Sequence, residues 1–71
     1  MNTGLLRTIW TVVEEVPAYC LQRVSLSEQV SLLLQQVEDK VSLSTIERAQ
    51  TRRYLNEKKT MIREMSLEQV M

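Results

Sequence analysis

The sequence has no histidine and no phenylalanine, and cysteine, glycine and proline occur once each, as Cys20, Gly4 and Pro17. Each scarcity excludes something. Without histidine there is no Ser-His-Asp triad, no Cys-His dyad, no HExxH zinc helix and no Glu-x-x-His di-iron site. The commonest zinc ligand is missing with it. Without a glycine-rich loop there is neither a phosphate-binding loop nor a dinucleotide fingerprint. A single thiol forms no intramolecular disulfide and fits a reducing compartment. A chain this poor in glycine and proline cannot punctuate a set of strands and turns, so helix is the regular structure that remains. The chain therefore reads as non-enzymatic, with no catalytic, metal or cofactor-binding residues and no small-molecule substrate.

Long apolar runs are also lacking. Nothing approaches the roughly 20 apolar residues of a membrane span. The run from Leu5 to Val16 is broken by Arg7, closes on Glu14 and Glu15, and has no small-residue cleavage site after it, so it does not read as a secretory signal. A cytoplasmic protein is expected. Charge of one sign is lacking too, since nine basic residues balance nine acidic ones. Attraction to nucleic acid or to an anionic membrane would have to be local.

What the chain does have is aliphatic surface. Its 71 residues are 44% apolar, mostly Leu, Val, Ile and Met. That composition suits a single globular domain over 1–71. A monomer of this length buries only about 60% of its unfolded surface. With disulfides and metals set aside, regular helix packing or self-association has to supply the rest.

Helix periodicity and caps divide the chain into three helices. The first is expected over residues 4–23, capped by Asn2 or Thr3. Leu5, Leu6, Ile9, Trp10, Val12, Val13 and Val16 fill one face, opposite Arg7, Thr11, Glu14 and Glu15. Pro17 removes a helical hydrogen bond and disfavours α geometry at Val16. The helix either ends there and restarts or kinks and continues. Cys20 and Val24 stay in phase with the apolar face, which favours the kink and makes Cys20 a small buried hydrophobe. The second helix is expected over 26–40, with Ser25 and Glu28 as a capping box. Leu26, Val30, Leu33, Leu34, Val37 and Val41 line its apolar face, and Leu32 points away from it. The third is expected over 45–65, with Ser44 and Glu47 as a second box. Ser66-Leu67-Glu68-Gln69 has the same signature and would open one more helical turn.

The third helix stands apart. Tyr54, Leu55, Met61, Ile62 and Met65 give its C-terminal half an apolar stripe, which Glu47 and Thr51 fail to continue and Lys58 interrupts. It also gathers Arg48, Arg52, Arg53, Lys58, Lys59 and Arg63, six of the nine basic residues. A solvated helix with pairs such as Arg53–Glu57 accounts for most of this charge. Weak phosphate contact is the other reading, with Gln50, Arg53, Asn56 and Glu57 as readers on a helix-turn-helix second helix. The turn before it lacks the usual glycine.

The fold class expected is all-α: a small three-helix bundle in which a helical hairpin packs against a third, basic helix. The apolar face of the first helix is wider than the 100° or so that one neighbour covers, Leu32 is off-face, and the third helix has half a stripe. These leftovers point to a homodimer completing a four-to-six-helix core. The function expected is a protein-interaction module, an adaptor, assembly factor or inhibitor, whose partner is another protein or itself. A nucleic-acid-binding regulator using the third helix is the alternative. The residues expected to meet a partner are Leu32, Arg48, Arg52, Arg53, Tyr54, Lys58, Lys59 and Met61. No cofactor is expected.

Overall fold

The computed structural model describes residues 2–69, with side chains placed through Leu67. Its regular elements are all helical. α1 (Thr3–Glu15) starts at Asn2, whose Oδ1 accepts the Leu5 N–H at 2.7 Å. The amphipathic pattern is realised directly: Leu5, Ile9, Val12 and Val13 are buried, and Leu6, Trp10 and Val16 flank them half-buried.

Pro17 ends this helix. Val16 and Pro17 both take extended ψ values, 125° and 138°, and a short helix α2 (Ala18–Gln22) restarts after them. The single kinked helix expected over 4–23 is therefore two helices. Two extended residues advance the chain without the 100° rotation of helical ones, so the apolar phase shifts. Leu21 enters the core and Cys20 stays half-buried outside it, which corrects the expectation for Cys20.

α3 (Leu26–Lys40) matches the expected 26–40. Ser25 Oγ accepts the Glu28 N–H at 3.2 Å. Glu28 in its first turn and Lys40 in its last complement the helix dipole. α4 (Thr45–Glu57) opens on a complete capping box. Ser44 Oγ accepts the Glu47 N–H at 3.2 Å, and Glu47 Oε1 accepts the Ser44 N–H at 3.1 Å. α5 (Lys59–Gln69) follows after one residue.

The expected helix over 45–65 is thus also divided, at Lys58 (φ −99°, ψ 5°). The break is slight. The Lys58 N–H still donates to Tyr54 O at 3.0 Å, and its carbonyl still accepts from Ile62 N–H at 2.9 Å. Ser66 does not open a new turn. It lies within α5, with its side chain buried. The three expected helices are thereby five among the described residues.

α3 is the central element and packs against α1, α4 and α5, while α2 packs against α5. Glu38 near its C-terminal end pairs with Arg48 early in α4, and Gln29 near its N-terminal end meets Lys59 at the start of α5. α3 therefore runs antiparallel to the α4–α5 pair. Leu5, Ile9 and Val12 from α1, Leu21 from α2, Leu33 and Val37 from α3, Leu55 from α4 and Ile62 from α5 meet in one core.

Polar residues hold the seam between α5 and the rest. Gln29, fully buried, donates from Nε2 to the Lys59 carbonyl at 3.0 Å. Its Oε1 accepts from Arg63 Nε at 3.1 Å, and a second guanidinium nitrogen of Arg63 donates to the Val24 carbonyl. Gln22 Nε2 donates to the Ser66 carbonyl at 3.2 Å, and Ser66 Oγ to the Arg63 carbonyl at 2.8 Å. Burial of these groups is tolerable because each finds a partner. Thr51 is the remaining buried polar residue among the described residues, and its hydroxyl returns to the Glu47 carbonyl at 2.8 Å. Thr51, Leu55, Ile62 and Ser66 are all buried, so the inner stripe of α4 and α5 does continue, through polar residues with satisfied hydroxyls.

Candidate interaction surface

The basic helix of the sequence resolves into groups with different neighbours. Arg48 reaches across to α3, its Nε 2.6 Å from Glu38 Oε1. Arg53 turns along α4 to Glu57 at 3.3 Å. Lys58 sits over the Tyr54 ring, its Nζ 6.0 Å from the centroid, within cation–π range. Arg63 faces inward, as described. Of the six basic residues after position 41, these four have an intramolecular partner.

Arg52 enters no ion pair among the described residues. It stands with Arg53 on the α4 wall of a groove of about 470 Å³ between α3 and α4. Ala49 and Asn56 share that wall, and Ser27, Val30 and Ser31 form the α3 wall. The helix spacing explains the grouping. Ala49, Arg52, Arg53 and Asn56 are separated by three, four and seven positions, and Ser27, Val30 and Ser31 by three and four, so each set shares one helix face. Ala49 is the reason the groove is open, because a methyl leaves room where a longer side chain would close it. One turn earlier on α4, Ile46 is 71% exposed, the most exposed of the large apolar side chains among the described residues. The surface is thus a shallow groove of mixed character, with two guanidinium groups on one side, hydroxyls on the other, and Val30 and Ala49 as its apolar members.

The other expected partner residues do not join it. Tyr54 packs edge-on against Trp10 with ring centroids 6.2 Å apart, and the Trp10 indole N–H donates to its hydroxyl at 3.0 Å. That contact ties α1 to α4. Lys59 gives its carbonyl to Gln29. Met61 is 41% exposed on α5. Leu32 packs half-buried against the core and lines a separate groove with residues of α1. The structure therefore brings together Arg52 and Arg53, and separately Tyr54 and Lys58, and leaves Leu32, Arg48, Lys59 and Met61 apart.

Asn56 was expected only as a nucleic-acid reader, and Ile46, Ala49, Ser27 and Ser31 were not expected at a partner surface. The one sequence signal for Ile46 and Ala49 is that both lie off the apolar stripe of their helix. Among the described residues, no group of three or more Cys, Asp or Glu side chains could hold a metal ion, and no helix is long and apolar enough to cross a membrane.

The fold and this surface define an all-helical chain with an open, arginine-edged groove. Compared with known proteins, it matches no family model, no curated protein and no solved structure. Function has to be argued from the surface itself.

Proposed function

We propose that this chain is a non-enzymatic protein-interaction module, an adaptor, assembly factor or inhibitor, that self-associates and presents the α3–α4 groove to an acidic, amphipathic helix of another protein. The observation that carries the reading is Arg52, a guanidinium without an ion pair among the described residues, on the edge of a groove whose apolar lining is Val30 and Ala49. A helix laid in such a cleft would place apolar residues at i, i+3 and i+4 over Val30, Ala49 and Ile46. Its flanking carboxylates would meet Arg52 and Arg53 in bidentate geometry. Arginine is also among the residue types that dominate binding energy at interfaces. The lone, half-buried thiol and the absence of disulfides support a reducing, cytoplasmic setting.

Affinity capture on the tagged chain tests this, with Arg52→Glu and Ala49→Arg run beside wild type. The protein recovered by wild type is expected to be lost with both variants and kept with Arg7→Glu on α1. Recovery of the same protein by all four chains would end the proposal.

Nucleic acid is the alternative, and it draws support from Arg52 and Lys59, which enter no ion pair among the described residues, and in part from Arg53. Arg48, Lys58 and Arg63 have partners within the fold, and Arg53 is shared with Glu57. Neutralising two or three phosphates gives weak, salt-sensitive binding. A duplex DNA or RNA titration that shows no binding at low salt closes this alternative.

A further inference from the structure

A second groove lies where α1 gives way to α2. Val12, Val16 and Pro17 line one side and Leu32 of α3 the other, around about 310 Å³ of space. The break at Pro17 creates it, because two extended residues interrupt the helix that would otherwise have covered this stretch of α3. Leu32 is the residue that the α3 periodicity leaves off the core face. Here it packs its inner side against the core and turns the rest into the groove.

The rim of this groove carries one charge of each sign. Glu15 Oε2 and Lys40 Nζ lie 2.7 Å apart, with their side chains 56% and 39% exposed. Gln36, an amide that both donates and accepts, lines the same groove.

We infer that this groove is the self-association surface and that its occupant is the same groove of a second copy, related by a two-fold axis. This rests on the self-association part of the proposed function and names its surface. The charge pattern selects the occupant. A two-fold contact sets each residue against its own symmetry partner's neighbourhood. A rim of one sign would repel its copy, whereas a rim of one acid and one base is complementary to itself. Glu15 of each copy can meet Lys40 of the other, turning two intrachain pairs into a ring of four charges. Between them the half-buried Leu32 and Val16 of the two copies would cover one another. This removes from water the apolar surface that the fold leaves open at the α1–α2 break.

Charge exchange tests the contact without touching the core. Glu15→Lys and Lys40→Glu are made singly and together in the full chain, with far-UV circular dichroism to establish that each folds. Sedimentation equilibrium is expected to show a dimer for wild type. Each single change should weaken dimerisation by about ten-fold or more, because like charges then face each other across the axis. The double exchange should restore it. Cys20 lines the same groove and is the sole thiol, so its alkylation rate is a second readout. That rate should fall as wild-type concentration rises and stay constant for the single variants.

A wild-type chain that is monomeric at every concentration overturns both this surface and self-association. A dimer whose strength ignores the single exchanges, and whose Cys20 reacts equally fast at low and high concentration, overturns this surface alone. Neither result bears on the α3–α4 groove, which Arg52→Glu reads independently.

Discussion

Arg63 and Arg53 show how differently two arginines on adjoining helices can act. Arg53 pairs with Glu57 in the open, with side chains 84% and 57% exposed. Such a pair contributes little, so Arg53→Ala is expected to change stability by less than about 0.5 kcal/mol. Arg63 supplies two donors to Gln29 and the Val24 carbonyl. Arg63→Ala leaves both acceptors without that partner, and a buried unpaired polar group costs about 1–3 kcal/mol. Urea unfolding followed by circular dichroism should show the Arg63→Ala midpoint well below that of wild type, with an unchanged slope. Arg63→Lys keeps the charge but lacks the forked donors, so it should recover only part of the loss. Equal midpoints for Arg63→Ala and Arg53→Ala would show that the Arg63 contacts do not stabilise the fold. The sequence does not reveal this difference. Both residues read as solvated base, because a partner more than thirty positions away leaves no local trace. Gln29 and Thr51 were hidden for a related reason: a polar residue on an apolar stripe reads as a gap in the stripe. Only the folded neighbours show that a hydroxyl can return to its own helix and a carboxamide can bridge to the next.

At the level of whole helices, the capped starts of α1, α3 and α4 were legible, and the breaks that open α2 and α5 were not. Asn2, Ser25 and Ser44 accept the backbone donors that open α1, α3 and α4, as their residue types suggest. Ser44 has the most to lose, since it takes part in two reciprocal bonds with Glu47. Ser44→Ala is expected to cost about 1 kcal/mol, and Ser44→Asp, which retains a capping oxygen, much less. A pair of thermal melts settles this, and equal losses for the two variants would count against the cap. Pro17 announced a break, but the phase of Cys20 favoured a continuous helix. Phase is informative only while rotation per residue is constant, and the two extended residues at 16 and 17 reset it. The break at Lys58 had no sequence signal. Neither glycine nor proline is near it, and the helical hydrogen bonds run almost through it. It arises where the α4–α5 pair passes from packing mainly on α3 to packing on α2 and α3 together. That is a tertiary condition which local preferences do not encode.

As a whole, a chain of this length is expected to hold about 4–11 kcal/mol of stability, at roughly 0.05–0.15 kcal/mol per residue. Leu55 has no exposed surface and lies in the shared core. Leu55→Ala should cost about 2–5 kcal/mol, a large share of that total. Its melt should therefore fall far below wild type or vanish, whereas Met61→Ala, at a side chain 41% exposed, should melt near wild type. All-helical class and most of the α1 and α3 core were legible at this scale. The placement of the two grooves was not, because each depends on a helix break or on how two helices sit side by side. If both grooves act as proposed, one dimer offers two arginine-edged clefts, and a partner with two matching helices would gain from binding both at once. The contact between Trp10 and Tyr54 has a practical consequence for all these measurements. The molecule carries its own optical reporter, because its sole tryptophan sits with its ring 6.2 Å from a tyrosine ring and donates an indole N–H hydrogen bond to that ring's hydroxyl. Emission from Trp10 therefore registers whether α1 and α4 are together. Its shift to longer wavelength should track the loss of the fold without any attached dye.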